Sequence, residues 1–292
     1  MRAWLELARL SNLPTLVTNV LVGAALGGLG GGFGCAPNAG IQWPAVSAVA
    51  VAVILFYVGG MAMNDVVDRD IDRQQHPGRP IPSGRIAVRH AAGFAVACLG
   101  AGVGLASLAG PPALLLSLVL VAAIVMYNRF HKAAAISVLL MGMCRGLVYV
   151  IAAATAWPPD PVVATTLAMA ITAYIALVSI VARVETGTTL EGRRWTGVAL
   201  AAVALVPIAV IRPDTWTWTV IAAIVVTTWL LAVSRHALAR PPRIGLAVAG
   251  WLAGICLLDG LYLTLLDRPA LAGVALGCFI VTRIAHRRIL GT

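Results

Sequence analysis

Ten apolar stretches, separated by short polar breaks, run along this chain at 13–32, 44–63, 91–109, 112–127, 135–157, 162–182, 195–211, 216–234, 244–266 and 269–282. Several approach the roughly 20 residues that a helix needs to cross a bilayer. No other feature limits the fold so tightly. Inside a bilayer every backbone polar group must find a partner within the protein, so segments of this length become helices packed on one another. The composition agrees, since 60% of the residues are hydrophobic against about 45–50% in soluble domains. Runs of small residues, such as GAALGGLGGG at 23–32, let neighbouring helices approach closely. No internal repeat or soluble domain interrupts the pattern, so residues 1–292 read as one integral-membrane domain. The expected fold is all-α, a polytopic membrane helical bundle.

Charge sets the orientation. The chain carries 21 Lys and Arg residues. Threading ten spans puts the N-terminus, the loops 64–90, 128–134, 183–194 and 235–243, and the C-terminus on one side, with 18 of the 21 basic residues. Arg212 and Arg268 fall on the other side, and Arg145 lies inside a span. Basic residues are retained on the cytoplasmic side, so the richly basic side is expected to face the cytoplasm. Topology therefore accounts for the net charge of +10, and no nucleic-acid partner is expected. No protein partner is evident either. Residues 1–11 hold Trp4, Glu6 and two Arg rather than the short basic start and apolar core of a signal peptide. The five cysteines are scattered, with no metal-ligand or disulfide spacing, and read as small packing residues. The five histidines form no ligand pattern.

One polar stretch stands apart, NDVVDRDIDRQQHPGRPIPSGR at 64–85, which holds four of the eleven acidic residues. If the preceding helix continues through it, Asp65, Asp68 and Asp72 stand at i, i+3 and i+7 and share one face, with Asn64 beside them. Asp70 points away, toward neighbouring Arg side chains. Three like charges on one stripe repel unless a cation fills the gap, and oxygen ligands on a helix suit Mg2+. The plain alternative is a solvated acidic helix end, which the membrane context disfavours.

The pattern NDxxDxxxD, followed by a basic stretch ending in RPxxSG, resembles the first aspartate-rich motif of the UbiA superfamily of membrane prenyltransferases. Asn64, Asp65, Asp68 and Asp72 fill its positions, and Arg79-Pro80 and Ser83-Gly84 match its tail. The resemblance implies a UbiA-like bundle around a central cavity, with Mg2+ and an isoprenyl diphosphate held at the motif. It also implies nine helices, which would export Arg283, Arg287 and Arg288. Nine to ten spans are therefore expected. The first six follow the family order, and one of the last four is re-entrant or interfacial.

Further site residues come from the same resemblance. The family's second aspartate motif lies after the sixth span, where this chain has VARVETGTTLEGRRW at 181–195. Glu185 and Glu191 stand six apart, about 600° around a helix, so they face different ways. Glu185, nearer the span, is expected to join Asn64, Asp65, Asp68 and Asp72 as a metal ligand, and Glu191 to pair locally with Arg193 and Arg194. The segment YNRFHK, with Tyr127, Arg129 and Lys132, resembles the family's basic loop after the fourth span. A departing diphosphate needs countercharge beyond its metal, and Lys132, Arg79 and Arg73 supply it in this reading. The stretch ARLSNLPT at 8–15 resembles the first-helix signature, in which Asn12 either lines the pocket or caps the span. Arg145 and Asp259 both lie inside spans, where a charge is costly. Either they pair with each other, or Arg145 faces the diphosphate. NDVVDRDID, MGMCRG and ARVETG together resemble, more loosely, the EboC-like branch of the superfamily.

The function implied is a Mg2+-dependent membrane prenyltransferase. Asp65, Asp68, Asp72, Glu185 and Lys132 are its catalytic residues, and Asn12, Asn64, Arg73, Arg79, Tyr127 and Arg145 contact its substrates. The partners are an isoprenyl diphosphate, a small-molecule acceptor and the lipid bilayer. A membrane terpene cyclase using the same ionisation, and a lipid transporter or carrier, are the alternatives.

Overall fold

The computed structural model describes residues 2–28, 41–130, 134–156, 159–183, 195–214, 216–240 and 242–288. Among them every regular element is a helix. A short α1 (Arg2–Leu7) and a 3-10 turn (Leu10–Asn12) lead into α2 (Leu13–Gly28). There follow α3 (Trp43–Val67), α4 (Arg69–Gln75), α5 (Val88–Ser107), α6 (Pro111–Phe130), α7 (Ala134–Ala153) and α8 (Pro161–Arg183). The last four are α9 (Thr196–Leu205), α10 (Trp216–Leu238), α11 (Ile244–Leu265) and α12 (Pro269–Arg288). Among the described residues, nine helices are long and apolar enough to cross a membrane. Their outward faces expose large apolar side chains such as Val96, Leu115, Met169 and Ile224, as lipid contact demands.

The seventh apolar segment is the short one. Pro207 has no N–H to donate, and the helix tightens into a 3-10 turn over Val206–Ala209. It still spans the distance between the two ends of the bundle. Gly197 at its start packs against Ser234 near the end of α10. Beyond its other end, the Asp214 backbone N–H donates to Asp267 Oδ2 at 3.0 Å, beside the α11–α12 turn. With this short pass the chain returns to the side on which it began. His286, near the end of α12, lies 2.9 Å from Asn12 at the start of α2. Among the described residues, nine long apolar helices and one short one thus reconcile the two expected counts.

Two apolar cores share α2 and α7. One packs Leu26, Tyr149, Ile171, Leu200, Leu230 and Trp251 among α2 and α7–α11. The other packs Leu16, Val20, Val53, Phe56, Leu120 and Ile151 among α2, α3, α6 and α7. Small residues let α7 meet α8 closely: a methyl added at Gly146 would sit 2.8 Å from the Ala168 carbonyl oxygen.

Across the shared wall runs a buried polar network. Asp259 of α11 is fully buried and accepts hydrogen bonds from the Thr18 hydroxyl, the Tyr149 hydroxyl and, at 2.8 Å, Asn19 Nδ2. With its amide so fixed, Asn19 turns Oδ1 to Arg145, which donates at 2.7 Å. Of the two alternatives for Arg145, direct pairing with Asp259 is not the one the structure holds. The two charges are linked through Asn19, because the side chains of α2 stand between α7 and α11.

Two outcomes follow. Single cysteines in a cysteine-free background, placed in the 76–79 turn and at Arg287, should be labelled by an impermeant reagent from the same side of a sealed vesicle; labelling from opposite sides would overturn the ten-pass path. Asp259→Ala removes the buried acceptor shared by Thr18, Asn19 and Tyr149 and should destabilise the protein by about 3 kcal/mol, read as a lower thermal midpoint in detergent, with Asp259→Asn less affected.

Candidate functional site

The site assembles at the end of the bundle where α2 begins and α3 ends. The expectation of one unbroken helix through the acidic stretch is corrected: α3 stops at Val67, and α4 restarts at Arg69 after Asp68 leaves helical geometry (φ −83°, ψ 0°). The interruption is slight, since the Asp68 N–H still donates to the Asn64 carbonyl at 2.8 Å and the Asp72 N–H to the Asp68 carbonyl at 2.9 Å. Asp65 and Asp72 therefore both turn inward, with side chains 6% and 4% exposed, while Asp70 is 67% exposed. As expected, Asp70 meets the neighbouring Arg69 and Arg73, at 3.6 and 3.2 Å.

Each inward carboxylate has its own arginine. Asp72 accepts from Arg79 Nη1 with both oxygens, each at 2.8 Å. The RPIPSG turn holds that arginine. Ser83 Oγ donates to the Arg79 carbonyl at 2.6 Å, and Gly84 takes the positive φ of 74° that closes the turn. Arg85 then ties the loop to the N-terminus, donating to Glu6 at 2.8 Å and to the Gly78 carbonyl at 2.6 Å. Asp65 accepts from Arg9 Nη2 at 3.2 Å. Arg9 itself stands at φ 44°, ψ 51°, a left-handed conformation rare outside glycine. The strained corner between α1 and α2 thus delivers a guanidinium to the acidic helix end. Asn64 donates to Asp68 Oδ2 at 3.1 Å.

Arg9 also lines a cavity of about 250 Å3. The polar side chains around it are Arg9, Asn12, Tyr57, Tyr127, Asn128 and Arg145, and the rest of its wall is mostly apolar, including Leu16, Val53, Phe56 and Leu120. Asn12 Nδ2 donates to the Tyr57 hydroxyl at 3.4 Å, and that hydroxyl donates to the Arg9 carbonyl at 3.3 Å. Asn12 is thus a wall residue. Arg145 reaches the cavity from the middle of α7.

The sequence-predicted residues divide accordingly. Asn12, Tyr127 and Arg145 line the cavity; Asn64, Asp65, Asp68, Asp72 and Arg79 gather at the adjoining helix end. Arg73 does not join them: it is exposed and paired with Asp70 on the outer face of α4. Lys132, Glu185 and Glu191 lie outside the described residues. Among the described residues no three acidic, His or Cys side chains converge to hold an ion. The donors present are nevertheless all oxygens, two of them on buried carboxylates, a chemistry that fits a hard divalent cation. Sequence reasoning missed Arg9, Tyr57 and Asn128, and the Thr18–Asn19–Tyr149 network. Arg9 lies inside the ARLSNLPT stretch, so a signal existed. Asn128 lies inside the YNRFHK segment, so a signal existed there too, whereas Tyr57 sits within an apolar helical run and gave none.

Comparison with known proteins accords with this arrangement. The model of the UbiA prenyltransferase family matches residues 21–247, well over half of the chain. Digeranylgeranylglyceryl phosphate synthase of Methanopyrus kandleri is 40% identical over 107 residues, which are 37% of this chain and 35% of the relative. The chain thus spans about a third of that relative's length in the match. Among solved structures, the apo UbiA homologue of Aeropyrum pernix K1 superposes with a TM-score of 0.63 at 17% identity, covering 92% of this chain and 96% of that one. A UbiA homologue of Archaeoglobus fulgidus, bound to GPP and Mg2+, gives a TM-score of 0.62 at 14% identity, covering 91% and 99%. At such identities the likeness is one of fold. Taken with the extent of the family match, these findings establish that the chain belongs to the UbiA prenyltransferase family.

Proposed function

We propose that this protein transfers an isoprenyl group from an isoprenyl diphosphate to a glyceryl phosphate lipid, at a site formed by the acidic helix end and the cavity beside it. One observation carries the reading: Arg9 joins a buried carboxylate to the wall of an apolar cavity, so polar and apolar subsites are contiguous. The isoprenyl tail lies along Leu16, Val53, Phe56 and Leu120, where water is excluded. The diphosphate lies at the mouth, near Arg9 and Arg79. Asn64, Asp65, Asp68 and Asp72 would hold a divalent cation, and Glu185 would complete the set. When bound, the cation offsets the diphosphate charge and eases its departure.

The residues of the chain supply the rest. Arg9 and Arg79, which here neutralise Asp65 and Asp72, turn to the diphosphate oxygens when the carboxylates have another cation to hold. Lys132 and Tyr127 add contacts at the mouth. The C–O bond to the diphosphate breaks with its electron pair on oxygen, and the apolar wall protects the allylic carbon from water until an acceptor hydroxyl captures it and gives up its proton to the released diphosphate. The name of the Methanopyrus relative supports a glyceryl phosphate as the acceptor class. Nothing in these relatives favours terpene cyclisation. The charge asymmetry supports a cytoplasmic location for the site loops.

Radiolabelled geranylgeranyl diphosphate, Mg2+ and geranylgeranylglyceryl phosphate should together yield a doubly prenylated product with the purified protein. Product formed without any acceptor would instead favour cyclisation. Asp65→Ala and Asp72→Ala should each lower the rate by at least about 100-fold while the protein remains folded, and EDTA should abolish turnover. Glu185→Gln should be slowed by orders of magnitude across a Mg2+ titration, whereas Glu191→Gln, which loses only a surface pair worth at most about 1 kcal/mol, should stay near normal. The reverse order would show that the 184–194 segment presents the other glutamate.

A further inference from the structure

A second cavity, of about 270 Å3, opens between α10, α11 and α12 at the same end of the bundle. Its basic lining is His236 from α10 with Arg283, His286 and Arg287 from α12, and no acidic side chain contributes. Among the described residues neither Arg283 nor Arg287 forms an ion pair. The proposed reaction uses none of these four side chains, and α12 lies wholly beyond the family match, which ends at residue 247.

Arg283 is held in place. Its guanidinium lies 5.0 Å from the centre of the Trp229 ring. That ring is fixed in turn, donating through Nε1 to the Gly250 carbonyl at 3.0 Å and meeting Phe279 edge-on at 4.8 Å. A methyl at Gly250 would come within 2.6 Å of Val233, so the bare glycine is what lets α10 and α11 close beneath the pocket. The inner wall is apolar, formed by Val233, Leu246 and Ala249. That wall runs on to the outer surface, where Leu246 itself, Ile280 and Ile284 are about half exposed, at 55%, 52% and 49%.

From this geometry we propose that the pocket binds the phosphate headgroup of an anionic membrane lipid. Basic side chains at the water boundary draw the phosphate, and Arg283 and Arg287 offer it charge-assisted hydrogen bonds. The apolar floor and outer surface take the first acyl or isoprenyl carbons, which a free phosphate ion would leave uncovered. This half-apolar character selects a lipid over the inorganic ion. His286 lines the pocket and also contacts Asn12 of the catalytic cavity at 2.9 Å, so a bound headgroup stands one side chain away from the substrate wall.

Native mass spectrometry of the detergent-solubilised full chain tests this without any turnover, using phosphatidylglycerol, phosphatidylcholine and inorganic phosphate as separate probes. The wild type should retain one phosphatidylglycerol at collision energies that strip phosphatidylcholine, and millimolar inorganic phosphate should not displace it. Arg283→Ala/Arg287→Ala should lower that occupancy at least five-fold. Arg287 is exposed, so Arg287→Glu supplies a second variant free of any packing role and should give a similar loss. Unchanged retention in Arg287→Glu, equal retention of phosphatidylcholine, or full displacement by inorganic phosphate would each overturn the proposal.

Discussion

Charge inside an apolar bundle must be matched, and the way this protein matches it organises both the fold and the site. A bare carboxylate or guanidinium in the bilayer interior costs several kcal/mol, so each one here recruits a partner from another segment. Asp65 draws in Arg9 from the N-terminal corner, Asp72 draws in Arg79 from the following loop, and Asp259 gathers Thr18, Asn19 and Tyr149. Arg79 lies only seven residues beyond Asp72, whereas the other contacts join segments far apart in sequence. Of the three, the first adjoins the cavity that Arg9 lines, the second holds the loop after α4, and the third links α2, α7 and α11.

The same pairing gives the site a resting arrangement. Carboxylates suited to a cation are neutralised by arginines suited to a diphosphate. In the proposed reaction, substrate and metal together would offer both groups better partners, whereas either alone would leave one set uncompensated. An exchange of this kind keeps the buried charges matched before and after substrate binds. It also limits the access of water to the acidic helix end, since Asp65 and Asp72 are both nearly closed off.

Sequence and structure agree most closely where physics is local. The spans were legible because backbone satisfaction in lipid admits few alternatives to long apolar helices. The seventh span was legible as apolar but not as short, since its length depends on how the turn at Pro207 packs against its neighbours. The acidic stretch was legible as a site because four acids in so apolar a chain demand an explanation. Its exact course was not: one residue, Asp68, departs from the helix and alters how the stripe is presented. Arg73 and Arg79 looked equivalent in sequence, yet one lies on the solvent face with Asp70 and the other is folded inward onto Asp72.

By itself, the sequence determined an all-helical membrane bundle, the side on which its basic loops gather and the acidic motif on which the proposed chemistry rests. Those properties depend on composition, spacing and the cost of exposing polar groups to lipid, all of which can be read along one chain. Only the tertiary structure decided which arginine meets which aspartate, that Asn19 links Arg145 to Asp259, and that Tyr57 and Asn128 reach the cavity. Such contacts join helices whose separation in sequence says nothing of their rotation about their own axes. That rotation is set by packing, by glycines such as Gly146 and Gly250, and by buried charges that accept only one set of neighbours.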